Sequence, residues 1–181
     1  MKNPKYSIDV VYKDLMGITD KVCWVTAVWN RAVIPRSRFV VWLAYHDRLK
    51  TKQRLKSMGV VDDDLCPICG TQPETTEHLF FKCSFTTQCT KALINWMGVD
   101  WNIGNMKDIL QKRHLPKAKS RLIAAVLCNL VYAIWKLRND AIWQKKVMTV
   151  VRVVHTVKAD SKIRFDSLSP NEAIALWLRN L

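Results

Sequence analysis

The sequence predicts a mainly helical protein with one small metal-binding loop and a long helix towards its C-terminus. Apolar residues make up 49% of the 181 residues, and most of them recur at helical spacing. Only five glycines and six prolines interrupt the chain, which is too few for an all-β fold with many turns. We therefore expect a packed helical core rather than a disordered chain.

Caps and prolines predict the first two helices. Thr19 or Asp20 can cap a helix that ends near Ala32. Pro35 suits the first turn of a second helix over residues 36–47. The large side chains of this second helix are expected to share one buried face: Phe39, Trp42, Leu43 and His46.

A polar loop separates the next short helices. Thr51 caps a third helix that Gly59 ends. Residues 59–74 are rich in Asp, Pro and Gly and predict a loop, after which Thr75 or Thr76 caps a helical turn.

The second half of the chain predicts longer helices. Helices are expected over residues 84–98, from Asn105 to about residue 113, over 117–146 and over 149–165. A last short helix begins with Ser169 as its cap, before Pro170.

The chain is expected to comprise a lead-in (residues 1–20), a helical zinc-binding domain (21–100) and a basic helical region (101–181). The net charge of +14 is unevenly placed. Residues 1–60 carry +8, residues 61–100 carry −4 and residues 101–181 carry +10. A chain this basic usually meets a polyanion, most often a nucleic acid.

Three cysteines and one histidine predict a single structural zinc ion. Cys66, Cys69, His78 and Cys83 give the spacing C-x2-C-x8-H-x4-C. Three thiolates and one imidazole complete a tetrahedral shell, so no position stays open for a catalytic water. Cys89 is the rival fourth ligand, and the alternative for the whole set is that these side chains pack in a core.

The remaining cysteines are expected to pack in the core rather than to bind metal or to react. Cys23 and Cys128 fall on apolar helix faces. The N-terminus lacks the apolar stretch of a secretion signal. We therefore expect a reducing, intracellular location, either the nucleus or the cytoplasm.

Two basic clusters are the predicted nucleic-acid contacts, because the zinc loop itself is acidic and phosphate binding needs cations. The first comprises Arg48, Lys50, Lys52, Arg54 and Lys56, and the second comprises Lys112, Arg113, Lys117, Lys119 and Arg121. Arg48, Lys52 and Lys56 would form one stripe if they share a helix. The alternative is an ordinary solvated face.

The predicted roles of the tryptophans depend on whether each lies in a helix or in a loop. Helical spacing favours a core role for five tryptophans: Trp24, Trp29, Trp42, Trp96 and Trp135. Trp101 lies in a loop-like stretch and is the candidate for stacking on an unpaired base.

No catalytic constellation is recognisable in the sequence, so no enzyme activity and no small-molecule substrate are predicted. The run Asp62-Asp63-Asp64 predicts a solvated turn rather than a magnesium site. The longest apolar run, residues 122–135, is too short to span a bilayer, so no membrane partner is expected.

The chain from Trp24 to Trp96 resembles the zinc-binding domain that follows the polymerase in plant LINE-type (non-LTR) retrotransposon reverse transcriptases. The matching features are Val28-Trp29, Pro35, Phe39, Trp42, Arg48-Leu49, Thr51, Arg54-Leu55, the Cys66-Pro-Ile-Cys69-Gly70 box, the segment from Glu77 to Phe81, and Cys83-Ser84-Phe85. The later Trp135-Lys-Leu-Arg138-Asn139 is similar to the Trp-x-x-Arg-Asn segment that follows this domain. Family members usually carry Trp near the position of Cys89, so that core contact is altered.

The resemblance implies nucleic-acid binding in a retroelement context, with RNA favoured over DNA. It does not imply polymerase activity, because the sequence holds neither a Tyr-x-Asp-Asp box nor a four-acid RNase H set. The chain is expected to be a C-terminal fragment or a remnant adopted by a host. The rival hypothesis is a protein-interaction module in which zinc supports a docking scaffold.

Overall fold

A computed structural model describes residues 24–110 and 116–168 of the chain. The predicted mainly helical fold is confirmed, and the described residues form no strand beyond one isolated bridge. The elements are α1 (Val25–Val28), α2 (Pro35–Tyr45), α3 (Lys52–Ser57), a π-helical segment (His78–Lys82), α4 (Ser84–Trp96), α5 (Met106–Leu110), α6 (Lys117–Trp143) and α7 (Val150–Asp166).

Helix α6 is the centre of the fold. It contacts α1, α2, α4, α5, α7 and the π-helical segment, and residues 122–131 are all buried. Its stretch from Ala118 to Trp143 is long and apolar enough to cross a membrane, with a mean hydropathy of 1.4 over the most apolar window. However, 67% of that window is buried inside the protein, as expected for a core helix.

A buried polar chain ties three helices together. Ser37 on α2 donates to Asn129 on α6 at 2.9 Å, and Asn129 donates to Ser161 on α7 at 3.0 Å. All three residues are buried. The only interruption of the apolar run in α6 is therefore a satisfied hydrogen-bonding link rather than a break.

The predicted buried face of α2 is wrong except at Leu43, which is half-buried and packs against the core. The buried residues of α2 are Ser37, Val40, Val41 and Ala44. Phe39 is 59% exposed and His46 is also exposed. Small and β-branched side chains let α2 approach α6 closely, and Ser37 finds a buried partner there, so the aromatic residues lie on the other side.

The predicted caps are largely confirmed. The Thr51 side chain accepts from the backbone amide three residues later, and the Asn105 side chain accepts from the amide of Asp108 at 3.1 Å. Thr149 caps α7 in the same way, although it is not among the predicted caps. Gly59 follows α3 with a φ of 70°. Helix α6 ends at Trp143 rather than at residue 146, because the backbone turns left-handed just beyond it.

Several predictions fall outside the described residues. These are the lead-in over residues 1–20, the cap of the first helix at Thr19 or Asp20, the end of the Asn105 helix near residue 113, and the helix after Ser169. Helices from both sides of the predicted boundary at residue 100 share one hydrophobic core. The division into domains stays a prediction.

Candidate metal centre

The first ligand pair lies in a tight hairpin. An isolated antiparallel bridge joins Leu65 to Pro73, and the Cys66 amide donates to the Gln72 carbonyl at 2.8 Å. The Gly70 amide donates to the Cys66 carbonyl at 2.8 Å. Gly70 has a φ of 68°, which glycine adopts without strain. This turn directs both cysteines of the predicted pair to one side.

The second ligand pair spans the π-helical segment. The Thr75 hydroxyl accepts from the His78 amide at 2.8 Å and caps the turn, as predicted. The Cys83 amide donates to the His78 carbonyl at 2.7 Å, five residues back. This wider turn links the backbones of the two ligands directly. We name residues 63–83 the zinc hairpin.

The four predicted ligands converge. The sulfur atoms of Cys66, Cys69 and Cys83 and a ring nitrogen of His78 all lie within 4.8 Å of one another. The Cys69 Sγ lies 3.3 Å from His78 Nε2. Three of the four residues are buried, and Cys69 is half-buried. Three thiolates and one imidazole suit zinc, and four protein ligands close its tetrahedral shell.

The cluster already favours negative charge on one sulfur. A hydrogen bond from the Cys66 thiol, aided by backbone amides at the start of α4, lowers the pKa of Cys83 to about 5. The same hydrogen bond, together with burial, raises the pKa of Cys66 above its usual range. One thiolate therefore faces a neighbouring thiol in a buried site, an arrangement that a cation would stabilise.

The other described cysteines are core residues. Cys89, the rival ligand, is fully buried on α4 and lies outside the four-residue cluster. Burial raises its pKa to about 12, and burial does the same for Cys128. Both thiols are therefore poor nucleophiles, and Cys89 is excluded as a ligand by its position outside the cluster. Cys23 lies outside the described residues.

A buried ion pair anchors the zinc hairpin to α6. Arg138 Nε donates to Glu74 Oε1 at 2.7 Å, and its Nη2 donates to Glu74 Oε2 at 2.8 Å. The same Nη2 reaches the Lys50 carbonyl at 2.9 Å. Glu74 also accepts from the Lys52 amide. Sequence reasoning missed this pair, although an arginine among the apolar positions of α6 was a signal that could have revealed it.

The first predicted basic cluster does not form one stripe. Arg48 precedes α3, which begins at Lys52, so the two residues do not share a helix. Lys52 pairs with Asp63, and Lys56 pairs with Asp64 at 3.2 Å. These lysines therefore neutralise the acidic start of the hairpin, and the predicted solvated turn is partly held by ion pairs.

The other members of that cluster also have partners. Arg54 donates to the backbone carbonyl of Asp47, and Lys50 lies 3.8 Å from the Met58 sulfur. Arg48 lies over the Trp42 ring, 5.8 Å from its centroid.

Less is described of the second predicted basic cluster. Lys112, Arg113 and the side chain of Lys117 lie outside the described residues. Lys119 is half-buried and Arg121 is exposed, both in the first turns of α6. The proximity of these five residues therefore stays a prediction.

The predictions for the tryptophans require correction. Trp101, the predicted stacking residue, is only 3% exposed because it packs in the core. Trp29, predicted to be core, is 54% exposed at the end of α1. Helical spacing alone did not identify the buried side of the short α1. The remaining members of the predicted core set are half-buried: Trp24, Trp42, Trp96 and Trp135.

Residues 6–89 match the family of domains described as zinc-binding in reverse transcriptase. This segment contains the four converging side chains, so sequence family and geometry agree on a zinc-binding domain. The family is a zinc-binding region and not a catalytic polymerase domain. No curated protein and no solved structure matches the chain significantly. The narrower relation to plant LINE-type elements stays a prediction.

Proposed function

We propose that the chain is a non-catalytic nucleic-acid-binding protein that one structural zinc ion stabilises, and that it binds RNA in preference to DNA. The observation that carries the proposal is a net charge of +14 on a chain whose zinc-binding domain is of the reverse-transcriptase type. Nucleic acid is the polyanion that such a domain would meet, and counterion release would drive the binding.

The zinc ion has a structural role in this proposal. Four protein ligands leave no open position for water or substrate, so the ion fixes the shape of the hairpin. The contacts with phosphate would come from cations elsewhere, because the start of the hairpin is acidic. We propose the nucleus or the cytoplasm as the compartment.

Filter binding of the zinc-loaded chain across a salt series tests the proposal. We expect the logarithm of the binding constant to fall linearly with the logarithm of the salt concentration, by about 0.7 per phosphate contacted on a single strand. RNA and DNA of the same sequence measure the preference. A slope near zero for both would remove the proposed function.

The second candidate is a protein-interaction module. The pairing of Lys52 with Asp63 and of Lys56 with Asp64 favours it, because the hairpin uses these charges internally. This candidate predicts tight folding around zinc together with no salt-dependent affinity for nucleic acid. The same filter-binding series therefore separates the two functions.

A further inference from the structure

The turn over residues 30–34, before α2, accepts hydrogen bonds from guanidinium groups at its backbone carbonyls. Arg38 donates to the Asn30 carbonyl at 3.0 Å and to the Val33 carbonyl at 3.1 Å. Arg164, from α7, donates twice to the Arg31 carbonyl, at 3.0 and 2.7 Å. Arg38 and Arg164, which are far apart in sequence, are thus both bound to this turn, and the turn itself contains Arg31.

The backbones of two further arginines lie beside this turn. The Asn30 side-chain amide donates to the Arg121 carbonyl at 3.2 Å. Arg36 pairs with Asp160 at 2.7 Å, the one carboxylate that pairs with any of these arginines among the described residues. We define the arginine cluster as Arg31, Arg36, Arg38, Arg121 and Arg164. Its charge is strongly positive, and guanidinium groups suit phosphate oxygens.

An aromatic ridge continues from the cluster along the exposed side of α2. The rings of Phe39 and Trp42 stack with centroids 6.1 Å apart, and Trp42 contacts His46 at 5.4 Å. Arg38 lies one helical turn before Trp42, and Arg48 lies over the Trp42 ring at the other end. The ridge is therefore flanked by arginines at both ends.

We propose that the exposed side of α2 binds a single strand of nucleic acid. The arginine cluster contacts phosphates, and the aromatic ridge (Phe39, Trp42 and His46) stacks on unpaired bases. This proposal rests on the proposed function and adds the strand type and the surface. Cationic groups beside a row of aromatic rings complement the phosphates and the unpaired bases of a single strand, whereas a duplex hides the faces of its bases.

The charge distribution supports this surface over the first predicted basic cluster. Lys52 and Lys56 in that cluster already pair with aspartates. In the arginine cluster, by contrast, only Arg36 pairs with a carboxylate among the described residues, and Arg38 and Arg164 bind backbone carbonyls. Binding to a carbonyl leaves the positive charge of the guanidinium uncompensated.

The test measures the affinity of the zinc-loaded full chain for an unpaired oligouridylate and for an RNA duplex of the same length, across a salt series. A ring variant carries Phe39→Ala and Trp42→Ala. We expect it to bind the single strand about tenfold more weakly or worse, with an unchanged salt slope, because stacking involves no counterion release.

A charge variant carries Arg31→Gln and Arg121→Gln, whose side chains do not make the hydrogen bonds that build the turn. We expect its salt slope to fall by about 1.4, or about 0.7 for each phosphate that the variant no longer binds. The matched control, Lys82→Gln with Lys91→Gln, removes the same charge from exposed positions near and on α4 and should keep the wild-type slope.

Circular dichroism melting checks that each variant folds, and Phe39→Ala alone replaces the ring variant if the loss of Trp42 lowers its melting temperature.

Wild-type chain that binds neither RNA would overturn the proposed function together with this surface. Wild-type binding that both variants retain would overturn the surface alone. Sedimentation in which only the ring variant loses a dimer, with RNA affinity unchanged, would assign the ridge to a second copy and overturn the proposal.

Discussion

Two side chains, Glu74 and Arg138, show how a polar pair can determine the position of a metal site. Their side chains are 0% and 5% exposed, and the hydrogen bonds between them join positions 64 residues apart. Each charged group has its partner, and Arg138 also reaches the Lys50 carbonyl, so neither charge is left uncompensated in the core.

We predict that Arg138→Ala destabilises the protein by about 3–5 kcal/mol, because it leaves the Glu74 carboxylate buried without its partner. Urea unfolding of the zinc-loaded chain measures the change. The matched control is Lys82→Ala, which removes an exposed pair with Glu77 and should cost less than about 1 kcal/mol. Equal costs for the two variants would contradict the structural role of the buried pair.

The ligand assignment yields a second prediction at the residue scale. Cys83→Ala should lose the zinc ion, whereas Cys89→Ala should retain it, since Cys89 lies outside the cluster. Elemental analysis of the purified chains gives the metal content, and we expect one zinc per wild-type chain. Retention of zinc by the first variant and loss by the second would instead make Cys89 the fourth ligand.

At the scale of elements, the zinc hairpin and the helical core differ in what holds them. The hairpin has one isolated bridge and a few backbone hydrogen bonds, whereas α6 is packed on most of its surface. Structural zinc contributes about 10–16 kcal/mol in finger peptides, far more than such a hairpin could gain from its own packing.

We therefore predict that chelation opens the hairpin while the core helices persist. Hydrogen exchange should accelerate at the amides of Cys66 and Gly70, which are bonded within the hairpin. Amides of α6 near Ile134 and Leu137 should stay protected, because both side chains are fully buried. Uniform acceleration along the chain would show instead that the metal holds the whole fold.

Sequence patterns predicted where helices begin better than they predicted which side of a helix is buried. The caps at Thr51 and Asn105 depend on local chemistry, so they could be predicted. The buried side of α2 could not, because Ser37 is polar and its partner Asn129 is 92 residues away. A periodicity argument assigns large aromatic residues to the core, and only the tertiary partners show that small residues occupy it.

At the scale of the whole molecule, the ligand set was predictable and the charged surface was not. The spacing of Cys66, Cys69, His78 and Cys83 encodes a local site, and the structure brings all four together. The arginine cluster combines three neighbouring residues at and just before the start of α2, Arg31, Arg36 and Arg38, with Arg121 and Arg164, which lie far from them in sequence. The run of basic residues in the sequence instead predicted nucleic-acid contacts at and before α3, where aspartates of the hairpin compensate two of the lysines.

The bidentate contact of Arg138 also couples metal loading to the assembly of the helices. Arg138 binds Glu74 at one end of the segment from 50 to 74 and the Lys50 carbonyl at the other, so the docked helix closes this loop without help from the ion. Cys66 and Cys69 lie in this loop and are thereby preorganised, so zinc should leave the intact chain more slowly than it leaves a peptide containing the hairpin alone. Substitutions in α6 that touch no ligand would then weaken metal retention from a distance.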